Sequence, residues 1–201
     1  MTEKMALLVI DMVKDNFDES KNLPITPLAK QIIAPINKLI AGFRKNSLPI
    51  VFSTDAFHEQ DFIFKGRMKS HSLSGTKGAE VIDELDRKQE DFWLPKPRFS
   101  AFFNTGLNRW LEKKGVTLCA VAGIAANFCV LTTVMDALCH NFKAVLLEDC
   151  TAAFSTDIHK HTLALYRKNP LYPLLRVISS KDLISELTAS GGSAAIAGLL
   201  I

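Results

Sequence analysis

Three things are missing from this sequence of 201 residues, and each absence removes a class of function. No apolar run is long enough to cross a membrane. "MALLVI" is stopped after six residues by Asp11, and the uncharged C-terminal "LTASGGSAAIAGLLI" has 15 residues where a membrane helix needs roughly 20. The first run is also too short for the core of a secretory signal, so a soluble cytoplasmic chain without membrane partners is expected. No block of Lys and Arg stands out either. The 24 basic and 21 acidic residues are spread along the chain, leaving a formal charge of +3, and nucleic acid is therefore not an expected partner. Finally, Cys119, Cys129, Cys139 and Cys150 form no CxxC pair and no zinc-finger spacing. A chain this rich in apolar residues needs no disulfide framework, and reduced thiols are expected.

What is present is alternation. Short β-rich apolar runs ("MALLVI", "LPIVFST", "DFWLPK", "VTLCAVAGI", "KAVLLED", "LLRVIS") alternate with segments of helical period near 26–45, 78–88, 104–114, 127–141 and 156–167, and a short helix closes the chain. Repeated βα units predict an α/β fold, three layers α/β/α around a mostly parallel, doubly wound sheet. The strands are continuously apolar rather than alternating, as strands covered on both faces must be. No internal repeat or low-complexity linker divides the chain. One domain is expected over residues 1–186, followed by an apolar tail, 187–201, jointed at Gly191 and Gly192 and docked on its own domain or on a second subunit.

In such sheets ligands bind beyond the carboxyl ends of the strands. The residues there are Asp11, Asp55, Lys96, the 123–129 turn and Asp149. The irregular segment 55–77 is long enough to be functional or mobile. Among the strand-end residues Cys129 is the candidate nucleophile. A thiol attacks as thiolate, and at a helix start, with Lys96 as a cation and Asp11 as a proton acceptor, it would be activated. Taken singly, each has an ordinary role as well: a small buried hydrophobe, a solvated lysine, a capping carboxylate.

Four blocks in order, "LLVIDMVKDNF", "GTKGAEVIDEL", "LPKPRFSAFFNT" and "VAGIAANFCVLTTVMDAL", resemble the isochorismatase-like cysteine hydrolases, over residues 6 to about 183. The resemblance implies a triad of Asp11 as general base, Lys96 as the cation beside it and Cys129 as nucleophile. It also implies a cis peptide at Ile124–Ala125, with the Ala125 and Cys129 N–H groups aimed at a developing oxyanion. Many relatives have Thr where this chain has Ala126. The vinyl-ether-cleaving members typically lack the cysteine, so its presence points to C–N hydrolysis of a small amide, with nicotinamide as the leading substrate. The alternatives are an N-carbamoyl-amine or ureido hydrolase, or a non-catalytic binding or assembly relative with a redox-sensitive cysteine.

The similarity to nicotinamidases further suggests a divalent metal, zinc or iron, that binds the substrate's ring nitrogen. Here its ligands would be Asp55, His71 and His58, the last one place beyond the family position, which Phe57 fills. The other reading is that Asp55 and His71 hydrogen-bond to each other or to the loop. Phe17 and Phe102 or Phe103, on loops at the same face, are candidates to sandwich a flat substrate, with core packing as their ordinary role. The family also implies a homo-oligomer.

Overall fold

The computed structural model describes residues 3–197, with side chains through Ala189. Six strands form one parallel sheet in the order β3-β2-β1-β4-β5-β6. They are β1 Met5–Ile10, β2 Ile50–Asp55, β3 Phe92–Lys96, β4 Leu118–Ile124, β5 Lys143–Ala152 and β6 Leu175–Ile178. The helices are α1 Lys14–Phe17, α2 Thr26–Gln31, α3 Ile33–Lys45, α4 Leu107–Lys113, α5 Leu131–Cys139, α6 Thr156–Arg167 and α7 Ser180–Ala197. This is the expected α/β architecture, and its strand order reverses direction between β1 and β4. At that point the crossovers leave to opposite faces, and a crevice opens beyond the strand ends.

Both faces of the sheet are covered, which explains the continuous apolar strands. In β1, Leu7 and Val9 point to one core, shared with Ile36, Leu39, Ile40 and Phe43 of α3 and Leu183 and Leu187 of α7. Leu8 and Ile10, out of phase by one residue, enter the second core with Leu107 and Leu111 of α4, Val134 and Ala137 of α5 and Leu163 of α6. The period of two thus divides one apolar run between two cores.

Three expectations are corrected. The helix near 78–88 is a single 3-10 turn, Lys77–Ala79, after which an isolated bridge at Val81 and a turn at 83–85 follow, with no further helix in that segment. Val81 bridges Val13, and Ile82 N donates to Met12 O at 3.0 Å. Val81, Ile82 and Leu85 are buried, so their helix-like spacing reflects three plugs into a core rather than a helix face. Strand β5 runs three residues beyond Asp149, to Ala152. The Asp149 carboxylate accepts from the backbone N (2.7 Å) and hydroxyl (2.6 Å) of Ser180, capping α7 instead of facing a ligand. The tail, too, begins inside α7. Leu187 is 4% exposed, and the helix continues through Gly191 and Gly192. The proposed docking of the tail depends on side chains outside the described residues. No helix among the described residues is long and apolar enough to cross a membrane.

Candidate active site

Asp11 directly follows β1, and its backbone is left-handed at φ 51°, a conformation that aspartate tolerates better than bulkier residues. Its N–H donates to Ser53 O at 2.9 Å, and Asn16 Nδ2 donates to its carbonyl at 3.0 Å. With the main chain fixed, the side chain turns inward: Oδ1 accepts from Asp55 N at 2.8 Å and Oδ2 lies 2.9 Å from Lys96 Nζ. Lys96 ends β3, is fully buried, and also pairs with Asp55 Oδ1. The three strand ends β1, β2 and β3 therefore meet on one ammonium. A buried cation is tolerable only when so paired.

Cys129 arrives from the other side of the switch point. After β4 the Ile124–Ala125 peptide is cis, as the resemblance implied, and a π-helical turn, Ala126–Val130, leads into α5. Cys129 is 7% exposed. Its sulfur and carboxylate oxygens of Asp11 and Asp55 all lie within 4.8 Å of one another. Gly123, at φ 107°, makes this approach feasible, because a Cβ there would stand 2.0 Å from Ile10 O.

The Cys129 thiol is pushed well above its ordinary pKa, by burial first and by the charge of Asp11 next, with Lys96 acting in the opposite sense. Buried Cys119 and Cys150 are also raised, chiefly by burial, but neither has an Asp–Lys pair beside it. Burial alone would push the Lys96 ammonium down, yet the neighbouring charges, that of Asp11 first, outweigh it and raise its pKa. Burial and the Asp11 charge raise Asp55 to about 7, against the pull of Lys96.

Above this cluster is a cavity of about 120 Å³ walled by Phe57, Phe99, Phe128, Phe154, Met68 and Ile25, with Asn16, His71 and the Asp11, Asp55 and Cys129 side chains as its polar part. The expected aromatic walls are elsewhere. Phe17 packs against the core beneath α1. Phe102 is 5% exposed and stacks on His140 and Phe142, while the turn at Ser100–Phe103 sends Phe103 into solvent. Phe99, three residues after Lys96, and Phe128, beside Cys129, were within reach of strand-end reasoning. Phe154 was hidden by the misplaced end of β5.

The chain belongs to the isochorismatase family. The Isochorismatase domain model matches residues 5–181. The chain is 30% identical over 164 residues to a probable inactive nicotinamidase from Arabidopsis thaliana, covering 77% of this chain and 83% of the relative. Among solved structures, N-carbamoylsarcosine amidase from Thermoplasma acidophilum matches with a TM-score of 0.74 at 32% identity, over 88% of this chain and 96% of that one. Pyrazinamidase from Pyrococcus horikoshii in complex with zinc matches at 0.77 and 26%, over 88% and 99%.

A zinc-bearing relative makes the fit of a metal in this member of the isochorismatase family worth testing residue by residue. Asp55 and His71 line the cavity, but His58 is exposed and outside it. Strand periodicity gives the reason: two residues past Asp55 keeps the same side, so Phe57 points inward and His58 outward. Phe57 is 1% exposed and meets His71 edge-on at 5.4 Å. The other potential ligand group, Asp11, Asp55 and Cys129, already holds a cation, since Lys96 pairs with both carboxylates. A catalytic zinc takes three protein ligands. Neither set supplies three uncommitted ones, and the residues do not fit the metal.

Proposed function

We propose that this chain is a cysteine amidohydrolase that cleaves the C–N bond of a small amide through a thioester intermediate. The observation that carries the reading is the convergence of Cys129, Asp11 and Lys96 at the switch point, beneath a cavity that the nucleophile lines. Proton removal accompanies attack. Asp11 takes the proton as sulfur bonds to the carbonyl carbon, with the Lys96 ammonium beside it. The Ala125 and Cys129 amides receive the oxyanion. Asp11 returns the proton to the nitrogen, ammonia leaves, and water, deprotonated by Asp11, hydrolyses the thioester to the acid and frees the thiol. Nicotinamide is the leading substrate, supported by the nicotinamidase-type relatives.

The test is ammonia release over nicotinamide, pyrazinamide and carbamoyl compounds, with mass spectrometry of the quenched enzyme for an acyl group on Cys129. No turnover of any compound and no adduct would leave the second reading, a binding relative without activity, which the name of the Arabidopsis relative favours.

A further inference from the structure

The segment 58–71 brings Met68 and His71 to the cavity that Cys129 lines, yet residues 65–70 in its middle are all exposed. What fixes the segment lies at its two ends. At the start, Asp61 Oδ1 accepts from Ile63 N at 3.3 Å and Oδ2 pairs with Arg98 Nη1 at 2.9 Å. At the far end, Ser72 is fully buried and turns the chain with a left-handed backbone, φ 48°. Its carbonyl accepts from Phe57 N at 3.0 Å, and its own N–H donates to Asp15 Oδ2 at 2.6 Å. One peptide group thus ties Asp15 to two residues that face the cavity, His71 before it in the chain and Phe57 across the bridge.

Asp15 itself does not line the cavity. It stands on α1 beside Asn16, whose Nδ2 donates to Asp11 O at 3.0 Å, so a single helical turn joins the strand end that carries Asp11 to a backbone 57 residues away. The second carboxylate oxygen of Asp15 pairs with Lys21. Burial pushes the Asp15 carboxyl up, but Lys21 and the Ser72 N–H outweigh it and hold it below the ordinary aspartate range. Gly78 leaves the room this requires, because a Cβ there would stand 2.5 Å from each carboxylate oxygen. A backbone N–H as deeply placed as that of Ser72 is costly to leave without an acceptor, and Asp15 is the acceptor.

We infer that Asp15 is a positioning residue of the site: its carboxylate, acting through Ser72, holds the end of the 58–71 segment in place and with it the side of the cavity formed by Phe57, Met68 and His71. It touches neither Cys129 nor the substrate. Its removal therefore weakens substrate binding and leaves the bond-breaking step, carried by Asp11, Lys96 and Cys129, nearly unchanged. The kinetic part of the inference rests on the reading of the chain as an amidohydrolase, whereas the hold on the segment does not.

The test makes Asp15→Ala and Asp15→Asn in the full chain and reads two things. The first is limited trypsin digestion followed by mass spectrometry, which counts cleavage after Lys65, Arg67 and Lys69 against cleavage elsewhere. The alanine variant should be cut at these three bonds at least about tenfold faster than the wild type, with other bonds unchanged, because a segment that has lost its anchor opens locally. The second is ammonia release from the best substrate among nicotinamide, pyrazinamide and carbamoyl compounds. KM should rise by about tenfold or more in Asp15→Ala with kcat within about threefold of the wild type. Asp15→Asn, which keeps an oxygen for the Ser72 N–H, should bring KM back to within about threefold. Unchanged cleavage of the segment, cleavage accelerated uniformly along the chain, a loss in kcat at constant KM, or an asparagine variant no better than alanine would each overturn the inference and leave the amidohydrolase reading standing. Should Asp15→Ala fail to fold, Gly78→Ala, whose methyl displaces the carboxylate without removing it, carries the comparison with the wild type on the same cleavage and kinetic criteria. If the wild type turns over none of the compounds, the amidohydrolase reading fails. Faster cleavage of the variant at the three bonds would then still support the hold of Asp15 on the segment, and unchanged cleavage would overturn it.

Discussion

At the scale of single residues, the site is a problem in holding charge out of water. Cys129→Ala removes the proposed nucleophile and little volume, so kcat should fall by roughly 10³-fold or more with the fold intact. Asp11→Asn should approach the same loss, and the double variant should be no slower than the slower single one, because the two act in one step. Losses that add in a steady-state assay would separate Asp11 from the thiol. Asp55 gives a prediction of a different sort. Its carboxyl titrates at about 7 in the folded chain and near ~3.9 unfolded, so the folded state holds the proton more tightly. The stability it contributes is whole below the unfolded value and is lost as pH rises through the folded one. Asp55→Asn removes that loss. The melting temperature of the variant minus that of the wild type should climb between pH 5 and about 7 and level off above. A difference flat across that window would place an ordinary carboxyl at Asp55.

At the scale of elements, the meeting of β1 and β4 sets the geometry. Gly123 faces Ile10 in register, and the pairing of β4 with β5 shifts between Val121 and Gly123. With φ at 107° and a Cβ position 2.0 Å from Ile10 O, Gly123→Ala must part the strands or twist the turn to Cys129. We expect a loss on the order of 3–5 kcal/mol in urea unfolding. Gly115, also at positive φ but with open space around it, is the control, and its alanine variant should lose only about 1–2 kcal/mol. Equal losses would show that backbone conformation rather than close approach makes glycine necessary at Gly123. The strands and most helices were legible because their apolar periods are long. The segment 78–88 was not, since Val81, Ile82 and Leu85 plug a core from a bridge and a turn, and a spacing of buried residues does not reveal whether a helix or a neighbouring backbone satisfies their hydrogen bonds.

At the scale of the whole molecule, burial sorts the four free cysteines into classes that a thiol reagent can count. Cys139 is exposed, whereas Cys119 and Cys150 are buried on opposite sides of the sheet. A disulfide reagent on the native protein should therefore modify Cys139 at once, and Cys119 and Cys150 only as fast as the fold opens. Rapid reaction at either would contradict the packing. The order of the strands, the absence of membrane-length runs, and the placing of Asp11, Lys96 and Cys129 at or just beyond strand ends were all determined by the sequence itself, because apolar periodicity and the residue that ends a run are local properties. Which aromatic rings face the nucleophile was decided only by tertiary structure. Phe17, Phe102 and Phe103 each lie within seven residues of Asp11 or Lys96 along the chain and Phe57 lies far from both, but side-chain direction depends on where each turn closes and on what packs behind it. The same holds for the thiol: a helix start and a lysine argue for a lowered pKa, and burial beside Asp11, which no local pattern encodes, raises it instead.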